Sequence, residues 1–256
     1  MDLRFEEIDL SMYHSESQKA RIKTESWFAT KLYCVKCGND RLEKMKNNSK
    51  VCDFVCPMCK SEFELKSMER IPKKNINGAG YNAMIDRIKS NNNPNWFFLQ
   101  YSKKTNSVVN LIFVSKNFIT LNMVEKRKPL KPTARRAGWI GCKILIEKIP
   151  EQGKIFIIKD GVVNDKSEVL RIVNRIQQFD IKNLENRGWL IDILNCINTI
   201  SGDLFDLQDV YAFENHLKSI HPNNNNIREK IRQQLQSLRD KNFIKFLGNG
   251  KYQKIR

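Results

Sequence analysis

The pattern of apolar and polar positions divides the chain into an N-terminal stretch mixing helical and strand-like periods and a C-terminal stretch that is mostly helical. Within the first 30 residues Gln18, Ala20, Ile22, Trp27 and Phe28 are spread among charges, which predicts a helix running towards Cys34. Residues 50–67 (KVCDFVCPMCKSEFELKS) alternate apolar and polar side chains, the period of half-buried strands, and predict a β-hairpin carrying the cysteines. The segment 75–80 (NINGAG) reads as a turn, 81–89 (YNAMIDRIK) as a short amphipathic helix, and the following NNNP as its stop. Trp96 to Tyr101 and Val108 to Val114 predict a hairpin across the polar SKKTNS, and Ile155 to Ile158 a further strand closed by Asp160-Gly161. This order predicts an α/β (α+β) domain ending near residue 180, with the division placed after Phe179.

Beyond it the period becomes helical. Trp189 to Ile200 is one helix, and Leu207 to Ile220 a second, opened by Asp206 with Asp209 three residues on. A third carries Ile227, Ile231, Leu235 and Leu238 at spacings of four, four and three. Phe243 to Phe246, the turn Gly248-Asn249-Gly250 and Lys251 to Ile255 then form a hairpin. Three helices followed by a basic β-hairpin is the order of a winged helix.

Charge changes what this fold is for. Among 256 residues, 45 Lys+Arg against 28 Asp+Glu give a net charge of +17, which points to a polyanionic partner, and 41% hydrophobic residues suffice for a real core. No run of 18 apolar residues occurs and the N-terminal MDLRFEEIDL lacks the features of a signal or transit peptide, so a soluble, intracellular protein with no membrane partner is expected.

Four of the seven cysteines form two C-x-x-C pairs, Cys34/Cys37 and Cys56/Cys59, with 18 residues between the pairs. That spacing suits a four-cysteine zinc site spanning residues 34–59. Four thiolates leave no open coordination position, so Zn²⁺ there is expected to be structural rather than catalytic. Cys52, Cys142 and Cys196 lie in apolar surroundings and read as buried thiols.

Asp53 precedes the second pair, and Glu64-Leu65-Lys66 follows it. Alternation along a strand puts Glu64 and Lys66 on one face and Phe63 and Leu65 on the other. Two carboxylates and a lysine on adjoining strands form a site for catalytic Mg²⁺, with the lysine beside the attacking water. An acid-x-Lys triplet is common by itself, and Asp180-Ile181-Lys182 is a second instance. The upstream acid, the strand context and the basic surroundings single out the first. Glu16 and Gln18 stand either beside this site or on the surface.

Residues 126–148 carry eight Lys/Arg against one acid, with prolines and the sequence GWIG. Arg135, Arg136 and Trp139 are therefore candidates for contacting duplex DNA. Residues 221–256 hold nine Lys/Arg and two acids. Arg228, Arg232, Gln233 and Gln236 lie off the apolar face of the third helix, and Lys251 and Lys254 stand on the wing.

These residues carry a family resemblance. SQKARI (17–22), YCVKCGN (33–39), SEFELKS (61–67), NNPNWFFL (92–99), KPTARRAGWIGC (131–142), ILNCI (193–197) and EKIRQQLQSLRDK (229–241) closely resemble the DpnI-like methyl-directed type II restriction endonucleases. The resemblance implies a PD-(D/E)xK nuclease domain at 1–182 with the embedded zinc segment, and a winged helix at 183–256. It implies Asp53, Glu64 and Lys66 as the triad, with Mg²⁺ on Asp53, Glu64 and the Leu65 backbone carbonyl. It further implies cleavage of double-stranded GATC carrying N6-methyladenine by a monomer, with Trp139 at the adenine methyls. Cys52 replaces the proline usual before the first acid. The rival reading is a zinc-containing winged-helix DNA-binding regulator that does not cut.

Overall fold

The computed structural model describes residues 1–46, 51–177, 181 and 183–255. The expected division after Phe179 and the second triplet, Asp180 to Lys182, fall on or beside positions outside the described residues.

Helix α1 (Glu16–Lys31) starts where the Ser15 hydroxyl accepts from the Gln18 N–H, and not at the first residues of the chain. The strands that follow are β1 (Glu43–Lys44), β2 (Phe54–Val55), β3 (Glu62–Met68) and β4 (Ile76–Gly80); α2 (Tyr81–Lys89) leads into β5 (Asn95–Ser102) and β6 (Ser107–Val114). Next come β7 (Val124–Lys126), β8 (Gly141–Ile144), β9 (Lys154–Lys159), β10 (Val162–Val163) and α3 (Lys166–Gln177). One sheet has the order β1-β2-β3-β5-β6-β9-β10, and a smaller one the order β4-β8-β7. Strands β3 and β5 pair in parallel, as a crossover through β4 and α2 allows, while the neighbouring pairings are antiparallel.

α1 packs one face of the large sheet through aromatic rings. Phe28 lies 4.6 Å from Phe54 and 4.9 Å from Phe97, and Phe97 lies 5.4 Å from Phe63 and 5.3 Å from Phe113. All five are buried. Truncating Phe97, which touches three of the others, would cost about 3–5 kcal/mol.

One sequence expectation is corrected here, and one helix is added to those expected. The run 75–80 is not a free turn, because β4 pairs with β8 and buries Ile76 opposite Ile144. Gly78 belongs there for close approach, since a Cβ on it would sit 2.5 Å from the Cys142 sulfur. Helix α3 was not anticipated, although Asp165 caps it through the Glu168 N–H and Val169, Val173 and Ile176 form its buried stripe.

The C-terminal part comprises α4 (Leu184–Thr199), β11 (Leu204–Asp206), α5 (Leu207–Tyr211), α6 (Glu214–Ile220), α7 (Ile227–Asp240), β12 (Ile244–Gly248) and β13 (Lys251–Lys254). The capping box of Asp206 and Asp209 forms as expected. The continuous helix expected over 207–220 instead breaks at Ala212-Phe213, where the Phe213 N–H closes a tight turn on the Val210 carbonyl. β11 adds a third strand to the hairpin, giving the order β11-β13-β12. The apolar stripe of α7 is buried at all four expected positions. α4 docks on the N-terminal part: the side-chain amides of Gln152 and Asn198 exchange two 2.9 Å hydrogen bonds, and Asn195 donates to the Lys148 carbonyl.

Candidate active site and metal centre

The two C-x-x-C turns fold alike. Cys34 N–H bonds the Asn39 carbonyl and Gly38 N–H returns to Cys34; Cys56 N–H bonds Ser61 and Lys60 N–H returns to Cys56. Gly38 and Lys60 occupy matching left-handed positions, φ +80° and +56°. The second turn closes the β2–β3 hairpin, so Cys56 and Cys59 sit in the connection between the strands rather than along them, while Cys34 and Cys37 lie in the turn that follows α1. All four sulfurs lie within 4.8 Å of one another, with Cys34–Cys59 and Cys37–Cys56 each at 3.6 Å. Tetrahedral Zn–S bonds of about 2.3 Å require sulfurs roughly 3.8 Å apart, so the cluster is sized for one structural metal ion and its donors suit Zn²⁺.

The same hairpin sets the acids. Asp53 stands just before β2, its N–H on the Phe63 carbonyl, and its Oδ2 accepts the Leu65 N–H at 2.9 Å. α2 braces this base, because Arg87 donates to the Val51 carbonyl and pairs with Glu62. On β3, Phe63 and Leu65 enter the core as alternation predicts. Glu64 is also only 4% exposed, so its face is not an ordinary solvated one. Lys66 Nζ donates to Glu64 Oε1 at 2.6 Å and lies 5.7 Å from the Trp96 ring. Burial pushes the Glu64 carboxyl above its ordinary range; Lys66 opposes this and the Asp53 charge adds to it.

A cavity of about 410 Å³ opens beside this cluster, lined by Ser17, Ala20, Arg21 and Glu25 of α1 and by Asp53, Leu65, Lys66, Ser67 and Tyr101. α1 thus contributes Arg21 and Glu25, which the sequence reading passed over, whereas Glu16 pairs with Lys19 and is exposed. The missed signal was an Arg and a Glu four apart on one helix face.

The basic excursion 127–140 leaves β7 and re-enters at β8, tied at its neck by Leu130 N–H to the Trp139 carbonyl and Gly138 N–H to Leu130. Trp139 is half-buried, neither a core anchor nor free. Its ring lies so close over Gly141 that a Cβ there would meet it at 2.8 Å, and the Arg136 guanidinium stacks 4.7 Å above it. Arg135 and Arg136 are exposed. The root of β8 reaches the acids: the Cys142 thiol, pushed up to about 11 by burial, also feels Lys66 and Glu64.

On α7, Gln233 and Gln236 are exposed. Arg228 lies 5.0 Å over the Tyr211 ring and pairs with Glu214, while Arg232 donates to the Tyr211 hydroxyl and to Glu229. Lys251 is exposed on the wing, but Lys254 turns back to the Ile200 carbonyl, which removes it from the outward-facing set.

Among the described residues no helix is long and apolar enough to cross a membrane. Residues 1–182 match the DpnI family, described as the Dam-replacing family, and residues 185–254 match its C-terminal Dam-replacing HTH domain. With the first match covering well over half its length, the chain belongs to the DpnI family of methyl-directed restriction endonucleases with a C-terminal winged helix.

Proposed function

We propose that this chain hydrolyses double-stranded DNA at GATC sites carrying N6-methyladenine, as a type II endonuclease with catalytic Mg²⁺, structural Zn²⁺ and the domain division 1–182 and 183–256. The observation that carries this reading is the Leu65 N–H bond, which sets the Asp53 carboxylate against the Glu64-Leu65-Lys66 strand at the edge of an open cavity.

The donor set fits a hard cation. Asp53 Oδ2 and Glu64 Oε1 take the bonds described above, which leaves Asp53 Oδ1, Glu64 Oε2 and the Leu65 carbonyl as oxygen donors of the kind Mg²⁺ accepts. Bound there, Mg²⁺ would activate a water and polarise the scissile phosphate. Lys66, held by Glu64 and facing the cavity, keeps a positive charge beside the attacking water and the charge that builds on the phosphate. Trp139, with Arg135 and Arg136 around it, would read the adenine methyl as added apolar surface in the major groove. On the winged helix, Arg228, Arg232, Gln233, Gln236 and Lys251 form the outward face for a second contact with DNA.

The test is cleavage of one plasmid prepared with and without adenine methylation at GATC, in Mg²⁺, beside Lys66→Ala. Cutting of methylated DNA alone, abolished in the variant, is expected. Binding of methylated DNA without cutting would instead establish the regulator reading, and equal cutting of both plasmids would remove the methyl-reading role from Trp139.

A further inference from the structure

Arg21 faces the cavity of the proposed active site and has no part in the triad. It lies on α1 one turn before Glu25, and its Nε donates to Glu25 Oε1 at 2.5 Å. Its side chain is 60% exposed, and among the described residues Glu25 is its only ion-pair partner. Glu25 is the opposite case. It is 6% exposed, and its second oxygen, Oε2, is taken by Lys44 Nζ of β1 at 2.7 Å.

A buried carboxylate with each oxygen committed to a cation is poorly placed to serve as a further metal ligand. It is well placed as an anchor. Held through Nε, the Arg21 guanidinium loses torsional freedom, while its two Nη groups stay available to the cavity. That is the planar fork that matches two oxygens of a phosphate. The carboxylates of Asp53 and Glu64 lie within its electrostatic reach, so the phosphate it would meet is one at or next to the reacting bond.

We propose that Arg21 contacts a phosphate of the DNA strand lying in the Asp53–Lys66 cavity, with Glu25 as its positioning residue. This rests on the reading that DNA is the substrate of that cavity. Lys44 extends the anchor into the zinc-bearing segment, so the metal-organised hairpin and α1 jointly fix the guanidinium.

The experiment is a charge-by-charge cycle with the full chain. Affinity for a short methylated GATC duplex is measured for wild type and Arg21→Ala. The duplex is either fully charged or carries a neutral methylphosphonate at one phosphate, scanned across the site. Arg21→Ala is expected to weaken binding of the charged duplex about tenfold, the worth of one charge-assisted contact. At one phosphate, neutralisation should cost wild type a similar factor and the variant almost nothing more. Glu25→Ala should mimic Arg21→Ala, and Glu25→Gln, which keeps an acceptor for Nε, should recover most of the loss. Arg21→Lys, which preserves the charge without the fork, should show a partial loss at the same phosphate and serves if the alanine variant fails to fold. Effects that multiply at every phosphate would overturn the proposal. Wild-type cleavage of methylated plasmid is scored separately: its failure sinks the functional reading and leaves the cycle interpretable, whereas a failed cycle with intact cleavage removes Arg21 alone.

Discussion

The Leu65 N–H donates to Asp53 Oδ2 at 2.9 Å, so the acid is part of the link between the adjoining strands that bring the charged groups together. Asp53→Asn keeps an oxygen acceptor for this bond and removes the charge. Thermal stability near wild type is expected, with cleavage reduced by more than about 100-fold. Asp53→Ala leaves a half-buried N–H without its partner and should cost about 1–3 kcal/mol of stability in addition. A melting curve for each variant beside a cleavage assay checks both; equal melting points would show that the bond contributes nothing to the fold.

Gly141 lets the Trp139 ring lie against β8. A methyl group there would press on the ring at 2.8 Å, and a half-buried ring with the exposed Arg136 side chain against it can shift to relieve the contact. Gly141→Ala is therefore expected to fold but to lose preference for methylated over unmethylated duplex, by about fivefold per methyl contact given about 1 kcal/mol for a buried methyl. Trp139→Ala should match it. Unchanged selectivity in both variants would take the indole out of methyl recognition.

Zinc should behave as part of the fold. Elemental analysis is expected to return one Zn²⁺ per chain, and Cys37→Ser or Cys56→Ser should unfold part of the N-terminal region rather than merely slow the chemistry. A variant with normal melting and normal cleavage would contradict this.

Burial pushes the Cys196 thiol up to about 12, with the Asp192 charge adding to the effect, and the Cys142 thiol up to about 11. A raised thiol stays protonated through the pH range below its shifted value, and the thiolate is the form that alkylates. In native protein at pH 8 both cysteines should resist iodoacetamide, with reaction appearing only as the pH climbs towards 11 or as denaturant exposes them. Peptide mapping after timed alkylation reads this directly, and rapid labelling of either at pH 8 would count against their burial.

DNA affinity should fall steeply with salt. If six or more phosphates are contacted across the excursion 127–140, the cavity and the winged helix, a log-log slope of about −5 is expected. A flat response in a filter-binding or anisotropy titration would mean that these basic surfaces are not the footprint.

Much of this protein was legible in its sequence because the signals are local. The two C-x-x-C pairs needed only their spacing to announce a metal site, and the α7 stripe needed only its period. Alternation along β3 correctly separated Phe63 and Leu65 from Glu64 and Lys66. Other features depended on what lies opposite. The glycines at 78 and 80 have the composition of a turn, yet they belong to a strand: Gly80 pairs with Gly141 of β8, and Gly78, at the irregularity before it, comes close to Cys142. Arg21 and Glu25 carry in sequence only the four-residue spacing of a helical ion pair; Lys44, which takes the second oxygen of Glu25, and the cavity, which places the arginine beside Asp53 and Lys66, give the pair its role. Lys254 looked like a wing cation until the Ile200 carbonyl drew it inward. Residue type and spacing determined which chemistries this chain carries. Burial and facing groups, which depend on contacts between segments far apart in the chain, decided which charges remain outward and which are used to hold the fold.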